Sequence, residues 1–228
     1  MATVEQALLG AQRKAEDLFA TVVQTGLIRP GVLESELSQE IHELAKRDFG
    51  LRRHWHKRVV RAGPNTVLTY HSEPPDRRLE ADDVVYLDFG PLFDEWEADY
   101  GRTYVLGNDP LKHKLVADIE TAFKLGKQRF MEDTGLTAGG LYDYVNGLAK
   151  EAGWEFAAPT AGHLVGHFPH ETAPGDRSRF SIRHGNPINL REPDAKGERR
   201  HWILEIHFVD RARGFGGFFE ELLTVPTP

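Results

Sequence analysis

The sequence predicts an α+β fold with a largely antiparallel sheet, on three observations. Two consecutive segments of helical periodicity are followed by several strand-like segments, and that order then occurs a second time. Helices and strands come in runs rather than in strict alternation, which argues against a doubly wound parallel sheet. No Gly/Ser linker or low-complexity stretch parts the 228 residues, so positions 1–228 are expected to form a single domain.

The elements follow in order. From Val4 to Gln24, residues Leu8, Ala11, Ala15, Leu18, Phe19 and Val22 recur at helical spacing, and Gly26, Pro30 and Gly31 end the pattern. A second helix should carry Leu37, Ile41, Leu44 and Ala45 and end near Gly50. Strand-like segments are expected at 58–61, 67–71, Val84–Phe89 and 99–106. Past Pro110, one helix should carry Leu115, Ile119, Ala122, Phe123, Gly126 and Phe130. Another should carry Leu141, Tyr144, Val145 and Leu148 and stop at Gly153. Further β-type segments are expected around 187–190, at His201–Asp210, and at 217–225.

Composition narrows the function classes. A net charge of -7 and the lack of a long basic tract leave no electrostatic footprint for nucleic acid. Basic residues cluster at 52–58, a run that reads as a solvated loop or strand edge. There is no cysteine, so disulfides and thiolate metal sites are excluded. The N-terminus lacks a basic region followed by an apolar core, and no stretch approaches ~18 apolar residues. The expectation is a cytoplasmic protein without a membrane partner.

Five metal-capable side chains stand on short apolar segments: Asp88, Asp99, His163, Glu205 and Glu220. Asp88 ends the run Val84-Val85-Tyr86-Leu87, and Glu205 follows Trp202-Ile203-Leu204. A carboxylate there is costly to bury unless a cation or hydrogen bonds compensate it. Asp88 and Asp99 lie eleven residues apart on neighbouring strand-like runs, so a hairpin would place both on one face. Carboxylates plus one histidine form a hard oxygen and nitrogen site, suited to manganese, iron, cobalt or zinc. Five ligands exceed what one catalytic ion needs while leaving an open position, and two ions with bridging carboxylates use them naturally. Glu221, next to Glu220, is expected to face the other side of its strand, toward solvent. His163 and His167 stand at i and i+4, but Leu164 replaces the glutamate of the zinc-helix motif and Gly162 and Gly166 disfavour a helix.

The order Leu87-Asp88-Phe89-Gly90, Asp99-Tyr100-Gly101-Arg102-Thr103, Gly162-His163-x-x-Gly166-x-x-x-His170-Glu171, a strand Glu and a final Glu resembles the pita-bread metallopeptidases. That family includes methionine aminopeptidase, the Xaa-Pro peptidases and creatinase. The resemblance covers essentially the whole chain and implies a two-metal hydrolase with the duplicated pita-bread fold, acting on a small peptide. It implies that Asp88 chelates one metal, that Asp99 and Glu220 bridge both, and that His163 and Glu205 hold the second. Glu205 would also be the general base, His170 would polarise the scissile carbonyl, and His71 would contact substrate.

Within the family, Asp99-x-x-Arg102-Thr103, Leu87-Asp88-Phe89-Gly90 and Leu164 look more like the Xaa-Pro peptidases than methionine aminopeptidase. The alternatives are a methionine aminopeptidase-type activity or a binding protein that keeps the fold. Within 228 residues no room is expected for the extra N-terminal domain of most Xaa-Pro enzymes, which counts against that branch; the resemblance separately admits a homodimer. Glu205 and Glu220 are only fifteen residues apart, where relatives carry a longer segment, and both must still reach one metal pair.

Overall fold

Thr3 starts the first helix through a capping box. Its hydroxyl accepts from the Gln6 amide at 3.2 Å, and Gln6 Oε1 accepts from the Thr3 amide at 3.0 Å. In the computed structural model, which describes residues 2–169 and 180–224, this helix α1 spans Val4–Gln24 and buries the expected stripe from Leu8 to Val22. Helix α2 (Glu34–Asp48) buries Leu37, Ile41, Leu44 and Ala45. Its first residue, Glu34, is buried as well, and its carboxylate accepts from the Ala62 amide at 2.6 Å and from Asn65 Nδ2 at 2.9 Å.

The strands of the first half follow: β1 (Arg53–His54), β2 (Val59–Ala62), β3 (Val84–Phe89), β4 (Pro91–Phe93), β5 (Trp96–Glu97) and β6 (Tyr100–Val105). The second half repeats the order. Helix α3 (Pro110–Glu132) is capped by Asp109, with Pro110 in the first turn where its missing N–H has no partner to lose. Helix α4 (Ala138–Ala152) is capped by Thr137 and stops at Gly153, whose φ of 89° suits a residue without Cβ. Strands β7 (Glu155–Phe156), β8 (Leu164–Val165), β9 (His201–Asp210) and β10 (Phe215–Leu222) complete the chain. The main sheet has the order β2-β3-β6-β10-β9-β7 with β8 added on β9, and every pairing in it is antiparallel. A small sheet, β1-β4-β5, flanks it.

Each half has its own core. One gathers Leu18, Phe19, Leu37, Ile41, Leu87 and Phe89, and the other Ile119, Phe123, Leu141, Trp202, Leu204 and Phe208. Each such fully buried side chain contributes ~1.5–3 kcal/mol relative to an exposed one. The halves meet in the sheet at β6 and β10, where a side chain supplements the backbone ladder. The Thr103 hydroxyl donates to the Phe218 carbonyl and accepts from the Phe218 amide, both at 2.7 Å. Among the described residues, no helix is long and apolar enough to cross a membrane.

Three expectations need correction. Residues 67–71 form no strand, because 63–67 turn into a short 3-10 helix (Gly63–Val67). There Thr66 Oγ1 donates to the Gly63 carbonyl and Asn65 to Glu34, so local polar side chains outcompete a ladder. Residues 187–190 also stay outside the sheet, making a single bridge between Asn189 and Thr137. The carbonyls of Ile188 and Asn186 instead accept from the Ala138 and Gly139 amides at the start of α4, both at 2.8 Å. Glu221 faces away from Glu220 as expected, yet it is buried rather than solvated, and pairs with Arg102.

Candidate metal centre

Strand register brings the carboxylates together. Asp88 on β3 lies opposite Gly101 on β6, Gly101 opposite Glu220 on β10, and Glu220 opposite Glu205 on β9. The four positions form one row across four strands, and Asp99, two residues before Gly101, joins it on the same face. The fifteen-residue spacing of Glu205 and Glu220 is therefore no obstacle, because a tight β9–β10 connection sets them directly opposite each other. Gly101 keeps the row compact: a Cβ there would meet the Phe218 ring at 2.5 Å and Glu220 Cβ at 3.1 Å.

His163 enters from the segment before β8. The Ile203 amide donates to the His163 carbonyl at 2.9 Å, and the Glu205 amide to the Ala161 carbonyl at 3.0 Å. Gly162 permits that approach, since its φ is 138° and a Cβ would lie 2.0 Å from the Ile203 carbonyl oxygen. Glu97 ties the segment to the first half by accepting from the Gly166 amide at 2.9 Å. The His163 Nδ1 hydrogen bonds to the Leu164 carbonyl at 2.8 Å. Its Nε2 points at Asp99 Oδ2 (3.2 Å) and Glu205 Oε1 (3.4 Å).

One residue at the cluster was not anticipated. His56, inside the basic run 52–58 read as solvated, turns its ring into the site. Its Nε2 lies 3.0 Å from Asp99 Oδ1 and 3.7 Å from Asp88 Oδ1. The run does lie at a strand edge, β1 on β4, but His56 is drawn inward from it. Its only signal in the sequence was the three rings His54-Trp55-His56 set among three arginines and one lysine.

Burial is the main force on the charges here. It pushes Asp88 up to about 7, aided by Asp99 and Glu205 and opposed by His56. It pushes Glu205 up to about 7, and it raises Glu220 well above the ordinary range together with the charges of Asp99, Asp88 and Glu205. Asp99 goes the other way: burial opposes its charge, but His56 and hydrogen bonds from both histidines hold it below the usual carboxylate range. Burial also opposes charge on the imidazoles, yet Asp99 lifts His56 to about 9, and Asp99 with Glu205 lifts His163 to about 10. Crowded carboxylates thus draw protons both onto themselves and onto the two imidazoles beside Asp99.

The residues fit divalent cations. Glu220 is 2% exposed, and its Oε2 has no hydrogen-bond partner among the described residues. Ligand atoms of Asp99, His163 and Glu220 lie within 4.8 Å of one another, as do those of His56, Asp88 and Asp99. The donors are hard oxygens and imidazole nitrogens, the set that manganese, cobalt, iron and zinc accept.

The cluster floors a cavity of about 360 Å³. Next along the strands, Tyr86, Phe218 and His207 form an aromatic wall, with rings 5.5–5.9 Å apart. His207 is fixed in it by a 2.9 Å hydrogen bond to the Thr66 carbonyl. His71 is exposed at the cavity, edge-on to Tyr70 at 5.3 Å. His167 packs edge-on against Trp96 at 5.2 Å instead of lining the cavity. His170 lies outside the described residues.

Comparison with known proteins bears on the family and the fold. The family model of metallopeptidase family M24 matches residues 6–220. An Xaa-Pro dipeptidase from Lactobacillus helveticus is 26% identical over 188 residues, covering 81% of this chain and 48% of that protein. The chain thus spans about half the length of the Xaa-Pro dipeptidases it matches. Among solved structures, a prolidase from Thermococcus sibiricus superposes with a TM-score of 0.78 at 23% identity, over 98% of this chain and 56% of that one. A methionine aminopeptidase from Rickettsia prowazekii superposes with a TM-score of 0.71 at 17% identity, over 96% of this chain and 92% of that one. The fold is the pita-bread fold expected from the sequence.

Proposed function

Because the chain belongs to metallopeptidase family M24, we propose that it uses two divalent metal ions to hydrolyse a peptide bond near the N-terminus of small peptides, with Xaa-Pro peptides as the preferred class. The observation that carries the two-ion reading is charge. Asp88, Asp99, Glu205 and Glu220 meet at the floor of one cavity, and once cations displace the protons of the cluster their four negative charges would balance two divalent ions but not one. Asp88 would hold one ion and His163 and Glu205 the other, with Asp99 and Glu220 available to both.

Bound ions would act as Lewis acids that polarise the scissile carbonyl and make water acidic. The chain's own groups do the rest. Glu205 takes the proton of the attacking water on a carboxylate oxygen, a task suited to a carboxylate that faces the cavity from β9 beside the proposed ions. His71, on the rim, contacts substrate, and His170 stabilises the developing oxyanion. Tyr86, Phe218 and Trp55 offer an apolar wall and a cavity sized for a short peptide with a compact apolar ring. Asp99-x-x-Arg102-Thr103 and Leu164 support the Xaa-Pro preference.

The test is metal analysis of the purified chain together with hydrolysis assays on Xaa-Pro dipeptides and Met-Ala-type peptides. Metal-stripped protein should be inactive and regain turnover with Mn²⁺ or Co²⁺, and Glu205→Gln should lower kcat at least ~100-fold. A chain that binds no divalent metal and tolerates Glu205→Gln would remove the enzyme reading. Turnover of Met-Ala peptides without turnover of Xaa-Pro dipeptides would replace the substrate class with that of a methionine aminopeptidase.

A further inference from the structure

His56 is placed at the cluster with the same construction as His163. The Trp55 amide donates to the Gly90 carbonyl at 2.9 Å, and Trp55 Nε1 donates to the Ala98 carbonyl at 3.0 Å. These bonds tie the residue before His56 to the ends of the segments that carry Asp88 and Asp99. The His56 Nδ1 then hydrogen bonds to the carbonyl of the following residue, Lys57, at 2.7 Å, as His163 does with Leu164 at 2.8 Å. A carbonyl accepts, so both rings carry the proton on Nδ1 and turn Nε2 inward, the arrangement that orients a ligating imidazole. The two Nε2 atoms approach the two different oxygens of Asp99, at 3.0 Å and 3.2 Å. Beyond Asp99, His56 meets Asp88 (3.7 Å) where His163 meets Glu205 (3.4 Å).

Space has been kept for this ring. A Cβ on Gly90 would lie 2.1 Å from His56 Cδ2, 2.4 Å from its Nε2 and 2.5 Å from Trp55 Nε1. The His56 side chain is only 10% exposed, so it is not a surface histidine that happens to reach an acid. The buried Glu220 Oε2, without a partner among the described residues, marks the same cluster as built for a cation.

We propose that His56 is a metal ligand. Its Nε2, with Asp88 and Asp99, would hold the divalent ion on the Asp88 side, so that each ion of the pair receives one imidazole. Resting on the two-ion reading above, this adds a sixth protein ligand to the five named from sequence and makes the two halves of the centre chemically alike. A purely structural histidine would act through Asp99 alone and leave the ion's coordination untouched.

The full chain decides between these. Metal-stripped wild-type protein, labelled with ¹⁵N-histidine, is titrated with Zn²⁺ and followed by NMR. The Nε2 resonances of both His56 and His163 should shift together with metal occupancy. In parallel, Co²⁺ titration of wild type, His56→Ala and His163→Ala is followed by calorimetry and by visible absorption. His56→Ala should keep one tight equivalent, weaken the other at least ~10-fold, the loss expected from removing even an outer-sphere partner, and change the Co²⁺ spectrum. Added imidazole should restore part of it. A His56 resonance unmoved by Zn²⁺ overturns the proposal, and this reading needs no variant to fold. So does a His56→Ala chain with two wild-type affinities and a wild-type spectrum. Wild-type protein that binds no metal would instead sink the two-ion reading itself.

Discussion

Replacing Gly101 by Ala adds one methyl group to the middle of the carboxylate row without touching a charge. The added Cβ would lie 2.5 Å from Phe218 Cδ1 and Cε1 and 3.1 Å from Glu220 Cβ. Carbon atoms in contact prefer ~3.5–4.0 Å, so the Phe218 ring must retreat by about 1 Å. It has little freedom to do so. The Phe218 backbone is fastened on both sides to Thr103 Oγ1, and its ring packs against Tyr86 and His207. Overpacking of this kind costs ~1–3 kcal/mol. At about 2–4 °C per kcal/mol for a chain of this size, Tm should fall by roughly 2–12 °C. Because β10 carries both Phe218 and Glu220, the same strain should also weaken metal binding. Thermal melts of Gly101→Ala in chelator and in excess Mn²⁺ read both effects. An unchanged Tm together with an unchanged metal-induced shift would refute the role given to this glycine.

Glu220→Gln should act with opposite signs in the two states: removing a crowded buried carboxylate raises the Tm of the metal-free chain, while the stabilisation by metal shrinks. In wild type that stabilisation should approach ~2.7 kcal/mol for a site held at 100 times its Kd, and melts with and without Mn²⁺ measure the difference. Away from the centre, His201 is buried beside Thr224, and burial, then Arg199, holds it below the usual imidazole range. The folded chain therefore keeps it neutral while the unfolded chain takes a proton below ~6.5. Its contribution to stability is complete above that pH and is lost on acidification, by up to ~1.4 kcal/mol per pH unit. His201→Gln should flatten the decline of Tm between pH 7.5 and 5.5; a decline parallel to wild type would show that His201 does not drive it.

The helices and long strands were legible because each has one dominant local cause. The Leu8–Val22 stripe and the apolar runs ending at Asp88 and Glu205 are patterns within single elements, and the structure keeps them nearly residue for residue. Residues 67–71 were misread because Asn65 and Thr66 spend their side chains on nearby groups, which periodicity does not register. Glu221 was placed on the right face but in the wrong medium, because period two gives a direction and not what lies there; Arg102 and the helices cover that face of β10. His56 was missed for a different reason. It sits within a basic run, and its partners Asp88 and Asp99 are distant in the chain, so only the folded register shows the contact.

The seam between the halves has a consequence of its own. Asp88 and Asp99 belong to one half, while His163, Glu205 and Glu220 belong to the other, and Gly101 opposite Glu220 is the point where β6 meets β10. There the ladder is supplemented by the Thr103 hydroxyl and by Arg102, whose Nη1 donates to the Glu220 carbonyl at 2.9 Å. On the proposed reading, cations act as rivets through this joint as well as reagents. Metal starvation would then loosen the molecule along a defined line, and the amides of Gly101 and Glu220 would exchange with solvent before either core does. Occupancy of the centre and cohesion of the two halves would rise and fall as one equilibrium.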